Sequence, residues 1–178
     1  MKKILILLFL FLLVPVVRAE EEDLAPNARS AIMIEASTGE ILFQKNKDEK
    51  LAPASMTKMM SMLLIMEEIE NGNLKWDEMI TASEKAASMG GSQIFLKVGE
   101  KMSVTDMVKG ISIASGNDAT VAMAERISGS EESFVKKMND RAKELGLKNT
   151  NFINATGLTA DNHYSSANDM VLIARELV

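Results

Sequence analysis

Only two short stretches of this chain carry the apolar character of strands, Ala31 to Ala36 and Glu40 to Gln44, and they stand ahead of a sequence patterned for helices. Ser37-Thr38-Gly39 between them predicts a hairpin turn. Two strands are not independently stable in water, so the hairpin must join further sheet or lie against helices. Residues 20–30 (EEEDLAPNARS) read as a polar, flexible lead-in, and the polar run Lys45 to Lys50 closes the unit.

Beyond Pro53 the spacing of Met56, Met59, Met60, Leu63, Leu64, Ile65 and Met66 predicts a helix with one broad apolar face, stopped at Asn71-Gly72. A second helical stretch breaks at Gly90-Gly91-Ser92. Ser103 with Asp106 reads as an N-cap and first-turn acid opening a third helix. Residues 118–127 and 131–145 predict a fourth and a fifth, and Ser166 with Asp169 opens a last one through Met170, Ile173, Ala174 and Leu177. That helix reaches Val178 without a cap or a Gly, so the chain reads as ending within an element. Two strands against some six helices leave a sheet short of members, and further strands are expected beyond residue 178. The fourteen methionines, five of them at 56, 59, 60, 62 and 66, recur at helical spacing among Leu and Ile and read as core fillers rather than a metal or peptide-binding stripe.

The first residues set the compartment. Met1-Lys2-Lys3, an apolar run from Ile4 to Val14, and Val17 and Ala19 at the small-residue positions predict an export signal cleaved after Ala19. The run falls short of the roughly 20 residues that span a bilayer. Cleavage leaves 159 residues with 17 basic and 25 acidic side chains, net −8, and this excludes a general nucleic-acid binder. No cysteine occurs, which removes thiol catalysis and Cys-ligated metal, and the single histidine, His163, makes any Ser-His arrangement rest on one residue in a polar loop. No cofactor and no metal are expected.

The sharpest chemical feature is Pro53-Ala54-Ser55-Met56-Thr57-Lys58. Pro53 predicts an extended lead-in, with Ser55 at the helix start and Lys58 one turn along the same face. A serine hydroxyl becomes a useful nucleophile once a neighbouring base takes its proton, and an amine held neutral can do this. The spacing alone is common: Ser133-Phe134-Val135-Lys136 repeats it inside a charged helix, where a solvated face suffices. A second candidate is Ala114-Ser115-Gly116-Asn117-Asp118, which offers a hydroxyl and a carboxamide on a flexible connector. It too has an echo, Ser166-Ala167-Asn168, where capping is enough.

Taken together and in this order, Ser-x-x-Lys followed about 60 residues later by Ser-x-Asn resembles the penicillin-interacting serine enzymes, and most closely the low-molecular-mass D-alanyl-D-alanine carboxypeptidases, a penicillin-binding protein family. The likeness extends to Ala36 to Glu40, Gly90-Gly91-Ser92, Leu96 to Glu100, Ala155-Thr156-Gly157-Leu158 and His163-Tyr164-Ser165. The resemblance implies an α/β (α+β) fold of the serine beta-lactamase and DD-peptidase kind, here the N-terminal hairpin and helical region of a partial catalytic domain over residues 31–178. It implies Ser55 as nucleophile, Lys58 as base, Ser115 as proton relay and Asn117 as the group holding the substrate's peptide amide, with Gly90-Gly91-Ser92 in an accessory role. The implied substrate is a peptidoglycan stem peptide ending in D-Ala-D-Ala, with beta-lactam antibiotics as covalent inhibitors. The implied place is the outer face of the cytoplasmic membrane, the periplasm or the cell-wall space of a bacterium, with membrane association through a C-terminal segment not found here.

One departure is large. No Lys-Thr-Gly occurs in the 178 residues, although the family uses it to bind the substrate carboxylate and complete the oxyanion hole. The chain alone is therefore expected to be inactive. Two other readings stand beside the carboxypeptidase: a catalytically silent envelope protein that binds peptidoglycan or a partner, and a serine beta-lactamase, whose class A members usually carry Ser-Asp-Asn where this chain has Ser115-Gly116-Asn117.

Overall fold

The computed structural model describes residues 23–178; the export signal expected at 1–19 lies outside the described residues. The hairpin forms as expected, with β1 (Ala31–Ile34) antiparallel to β2 (Ile41–Lys45) and a bulge between Met33 and Ile34. Residues 23–30 are tied to it rather than running free. The Lys45 ammonium donates to Asp23 Oδ2 and to the Ala25 carbonyl, and Ser30 Oγ donates to the Asn46 carbonyl.

The first long helix, α1 (Lys58–Glu70), is preceded by a single 3-10 turn, Ala54–Thr57, so the α-helix begins three residues later than the apolar pattern implies. Pro53 adopts a helical rather than an extended backbone, and Ala54 follows with φ of +47°, which turns the chain sharply before Ser55. Next come β3 (Met79–Thr81), α2 (Glu84–Ala87), β4 (Lys101–Ser103), α3 (Val104–Ala114), α4 (Asn117–Ser128), α5 (Glu131–Glu144) and α6 (Ala167–Leu177). The β3–β4 pair, which buries Ile80 between exposed Met79 and Thr81, is a second two-stranded antiparallel sheet that the sequence pattern does not announce. The caps at Ser103 and Ser166 form, accepting from the backbone N–H groups of Asp106 and Asp169.

Two apolar clusters make the core. One gathers Ile65, Leu74, Ile80, Val104, Met107 and Met123; the other gathers Met60, Leu64, Phe134, Met138, Phe152 and Ile173. Both α1 and α4 feed both clusters, and α4 is buried from Asn117 through Ala124, so these two helices form the spine of the molecule. Small side chains at Ala119, Ala122 and Ala124 allow that close approach. The methionines divide: Met60, Met107, Met123 and Met138 are fully buried and Met59, Met62 and Met66 are half-buried, whereas Met56 is 53% exposed because the 3-10 turn displaces it from the α1 face. Helix α6 packs on β1, and Arg175 fastens it by donating to the carbonyls of Ala36 and Ser37.

Candidate functional site

The segment that leads into α1 is fixed at both ends. Leu51 exchanges backbone hydrogen bonds with Ser165 (2.8 and 2.9 Å), and Thr57, wholly buried, is hydrogen-bonded through Oγ1 to His163 Nε2 at 2.9 Å. His163 Nδ1 accepts from the Ile153 N–H at 3.1 Å, so the proton sits on Nε2 and is donated to Thr57. Burial lowers the imidazole pKa, which favours this neutral form. His163 is thus a brace behind the segment, bonded to Thr57 and not to Ser55.

Ser55 stands exposed on the 3-10 turn, and Lys58, the first residue of α1, is 5% exposed. The Lys58 amine lies 3.3 Å from Ser55 Oγ and donates to the Thr156 carbonyl at 2.7 Å. Burial pushes its pKa from 10.5 down to about 8. Roughly a tenth of such an amine is neutral at pH 7, against fewer than about one in a thousand for an ordinary lysine. That is enough free base to take a hydroxyl proton from a neighbour already in reach.

Ser115 ends α3 in the left-handed region, φ +56°, and its buried Oγ is the one buried side-chain N or O atom without a hydrogen-bond partner among the described residues. Ser55, Lys58 and Ser115 line one cavity of about 300 Å³, walled by Met59, Met62, Ile111, Ser112 and Leu177. Two hydroxyls and an amine that is partly neutral at pH 7, facing an apolar chamber, suit nucleophilic attack on a carbonyl.

Asn117 does not line that cavity. Its Nδ2 donates to the Gly90 carbonyl at 2.7 Å, and its backbone N–H donates to the Ser92 carbonyl at 2.7 Å. Gly91 must lack a side chain here, because a Cβ would lie 2.9 Å from Asn117 Nδ2 and φ is +78°. The Gly90-Gly91-Ser92 loop therefore holds the Asn117 amide. Asp118, next in the chain and 1% exposed, accepts from the N–H groups of Ile94, Leu96 and Ala119 and pins the same loop to the start of α4.

Sequence reasoning missed three parts of this arrangement: the Thr156 carbonyl, the Asp118 clamp and Gly157. Gly157 has φ of +87°, and a Cβ on it would fall 1.8 Å from the Ala54 carbonyl oxygen, so this loop lies directly on the backbone that presents Ser55. A backbone carbonyl carries no residue-type signal, but the small, turn-forming Ala155-Thr156-Gly157 was available as a hint of close approach.

With this geometry, comparison with known proteins is specific. A family model described as D-alanyl-D-alanine carboxypeptidase matches residues 16–178. The D-alanyl-D-alanine carboxypeptidase DacF of Bacillus subtilis is 64% identical over 156 residues, covering 88% of this chain and 40% of the relative; DacC of Escherichia coli is 41% identical over 179 residues, covering 96% and 45%. Among solved structures, the carboxypeptidase DacD from Francisella tularensis superposes with a TM-score of 0.85 at 44% identity, covering 90% of this chain and 38% of that one. Penicillin binding protein 5 from Haemophilus influenzae gives 0.83 at 37%, covering 89% and 46%. The chain thus shares the α/β fold of these proteins and spans less than half the length of each.

Proposed function

The chain belongs to the D-alanyl-D-alanine carboxypeptidase family, and from that premise we propose that it supplies the nucleophile and base of a serine D-Ala-D-Ala carboxypeptidase acting on peptidoglycan stem peptides. The observation that carries this reading is the Lys58 amine, buried, lowered to about 8 and 3.3 Å from Ser55 Oγ, in a cavity shared with the unpartnered Ser115 hydroxyl.

Neutral Lys58 takes the Ser55 proton as Oγ attacks the carbonyl of the penultimate D-alanine. The C–N bond breaks, the departing D-alanine amine receives a proton returned from Lys58 through Ser115, and the acyl group remains as an ester on Ser55. Water then hydrolyses that ester. Asn117, steadied by the 90–92 loop, holds the peptide amide of the substrate. Beta-lactams enter by the same attack and stay as the ester. No cofactor takes part. The site operates outside the cytoplasm, facing the cell wall, in keeping with the N-terminal export pattern.

Lys-Thr-Gly is absent from the 178 residues, and the substrate carboxylate and oxyanion need donors beyond those described. Loss of one oxyanion donor costs about 10²- to 10³-fold. The chain alone therefore releases no measurable D-alanine, whereas the same chain joined to the part of the Bacillus subtilis relative that it does not match does. Penicillin treatment of the joined protein, followed by peptide mass mapping, places the adduct within residues 51–58. An adduct elsewhere, or none, overturns the assignment, and the second outcome would favour a catalytically silent binding protein.

A further inference from the structure

The Thr156 carbonyl that receives the Lys58 amine belongs to a short loop whose every backbone polar group from Ala155 N to Gly157 N is engaged. Ala155 N–H donates to Glu131 Oε1 at 3.1 Å, and the Ala155 carbonyl accepts from Ser61 Oγ at 2.7 Å. Asn154 Oδ1 accepts from the N–H groups of Thr156 (3.2 Å) and Gly157 (2.7 Å). Asn154 is local to the loop, whereas Ser61 and Glu131 reach it from two different helices. We propose that Ser61 and Glu131 are positioning residues that aim the Thr156 carbonyl at Lys58, a role that rests on the catalytic reading given above.

The geometry makes this specific. Ser61 is wholly buried on α1, three residues after Lys58 and on the same face, so the helix that supplies the base also grips the loop that orients it. Glu131, 8% exposed at the start of α5, spends its second oxygen on the Lys85 ammonium at 2.9 Å, which keeps a buried carboxylate paired on both sides. A lysine amine sits on a flexible four-carbon stem. Once one of its N–H groups is donated to a fixed carbonyl, the nitrogen can only turn about that bond, and this keeps its lone pair within reach of Ser55 Oγ. If the Ala155 peptide is released, the carbonyl drifts, water enters beside the amine, and the base loses both its aim and its neutrality.

The test needs no turnover and uses the chain itself. Acetic anhydride labelling across pH 6 to 11, read by mass spectrometry on the Lys58 peptide, gives the midpoint at which that amine becomes reactive. The wild-type midpoint is expected near 8. Ser61→Ala and Glu131→Ala should each raise it by about one pH unit, the scale on which a buried amine recovers as water returns. Glu131→Gln keeps an acceptor for the Ala155 N–H and should move it less than half as far. Ile80→Val, which trims the other apolar cluster, should leave it in place. A midpoint unmoved in both alanine variants, or moved equally by Ile80→Val, overturns the positioning role. Penicillin labelling of Ser55 in the joined protein is a separate readout: its failure with the midpoint shifts intact would strike the catalytic reading alone, and its success with no shifts would strike only this inference.

Discussion

The chain holds two copies of Ser-x-x-Lys whose fates differ completely. At Ser55 the lysine is buried against a backbone carbonyl and its serine faces a cavity. At Ser133 both residues are exposed on α5, where Lys136 pairs with Asp140 at 2.5 Å and the Ser133 hydroxyl accepts from Ser130 Oγ at 3.2 Å. The three-residue spacing is the same. Lys136 is held exposed in an ion pair with a carboxylate, while burial beside a neutral carbonyl destabilises the Lys58 ammonium, so surroundings convert the same two residue types into an ion pair in one place and a base in the other.

The largest effect that could break this contrast is on acylation. Ser55→Ala should abolish the penicillin adduct in the joined protein, and Ser133→Ala should leave it within about twofold of wild type; adduct retained in Ser55→Ala would end the distinction. Next, Lys58→Ala should slow acylation by roughly 10²- to 10⁴-fold, the usual worth of a general base, with little rescue by Lys58→Arg, since a guanidinium stays protonated. Lys136→Ala should do nothing measurable. Near-normal rates in Lys58→Arg, followed by stopped-flow with a fluorescent penicillin, would show that only positive charge matters.

A smaller loss is expected from Gly157→Ala. A Cβ 1.8 Å from the Ala54 carbonyl and a φ of +87° force the loop and the Ser55 turn apart. A displacement of that kind should cost about 10- to 100-fold in acylation, with a lower melting temperature.

The smallest effect concerns stability, and its sign separates the two lysines. The Lys58 pKa is lower in the fold than the 10.5 of an ordinary lysine. Between those values the unfolded chain binds the extra proton, so below pH 8 the folded state carries a handicap that fades as pH rises from 8 to 10.5. Lys58→Met should therefore stabilise the chain at pH 7 by about 1–2 kcal/mol, less than the full handicap because the Thr156 carbonyl loses its donor; since that loss persists while the handicap fades, the gain should vanish at about pH 9 and turn into a net loss by pH 10.5. Lys136→Met, at an exposed pair, should stay within about 0.5 kcal/mol at every pH. Urea titrations at pH 7 and 10 would check both, and a destabilised Lys58→Met at pH 7 would contradict the cause assigned to its lowered pKa.

What could be read from the sequence followed what is local. The hairpin, the long helices and the caps at Ser103 and Ser166 come from spacings within one element, and so did the pairing of Ser55 with Lys58. The β3–β4 pair was hidden because three residues are too few to display an alternation. The 3-10 turn was hidden because Pro53 and Ala54 take backbone angles that nearby tertiary contacts decide, the Gly157 loop above all. The site's remaining parts depend on contacts across the chain: Thr156 reaches Lys58 over 98 residues, and Glu131 reaches Ala155 over 24. Ser115 could be nominated from its motif, but its unpartnered hydroxyl in the shared cavity is a property of the fold.

The burial of α4 from Asn117 to Ala124 has a dynamic consequence. Ala119 and Val121 to Met123 lie in one apolar cluster and Ala124 in the other, so the amides from Val121 to Ala124, inside the helix and between the two clusters, should be among the slowest to exchange hydrogen. Asn117 begins this helix, but its N–H and its carboxamide are both bonded to the 90–92 loop, so the carboxamide proposed to hold substrate keeps its place only as long as that loop stays closed. The amides of Ile94 and Leu96, held by the Asp118 carboxylate in a loop outside any helix, should exchange sooner, giving the two sides of one anchor separate clocks.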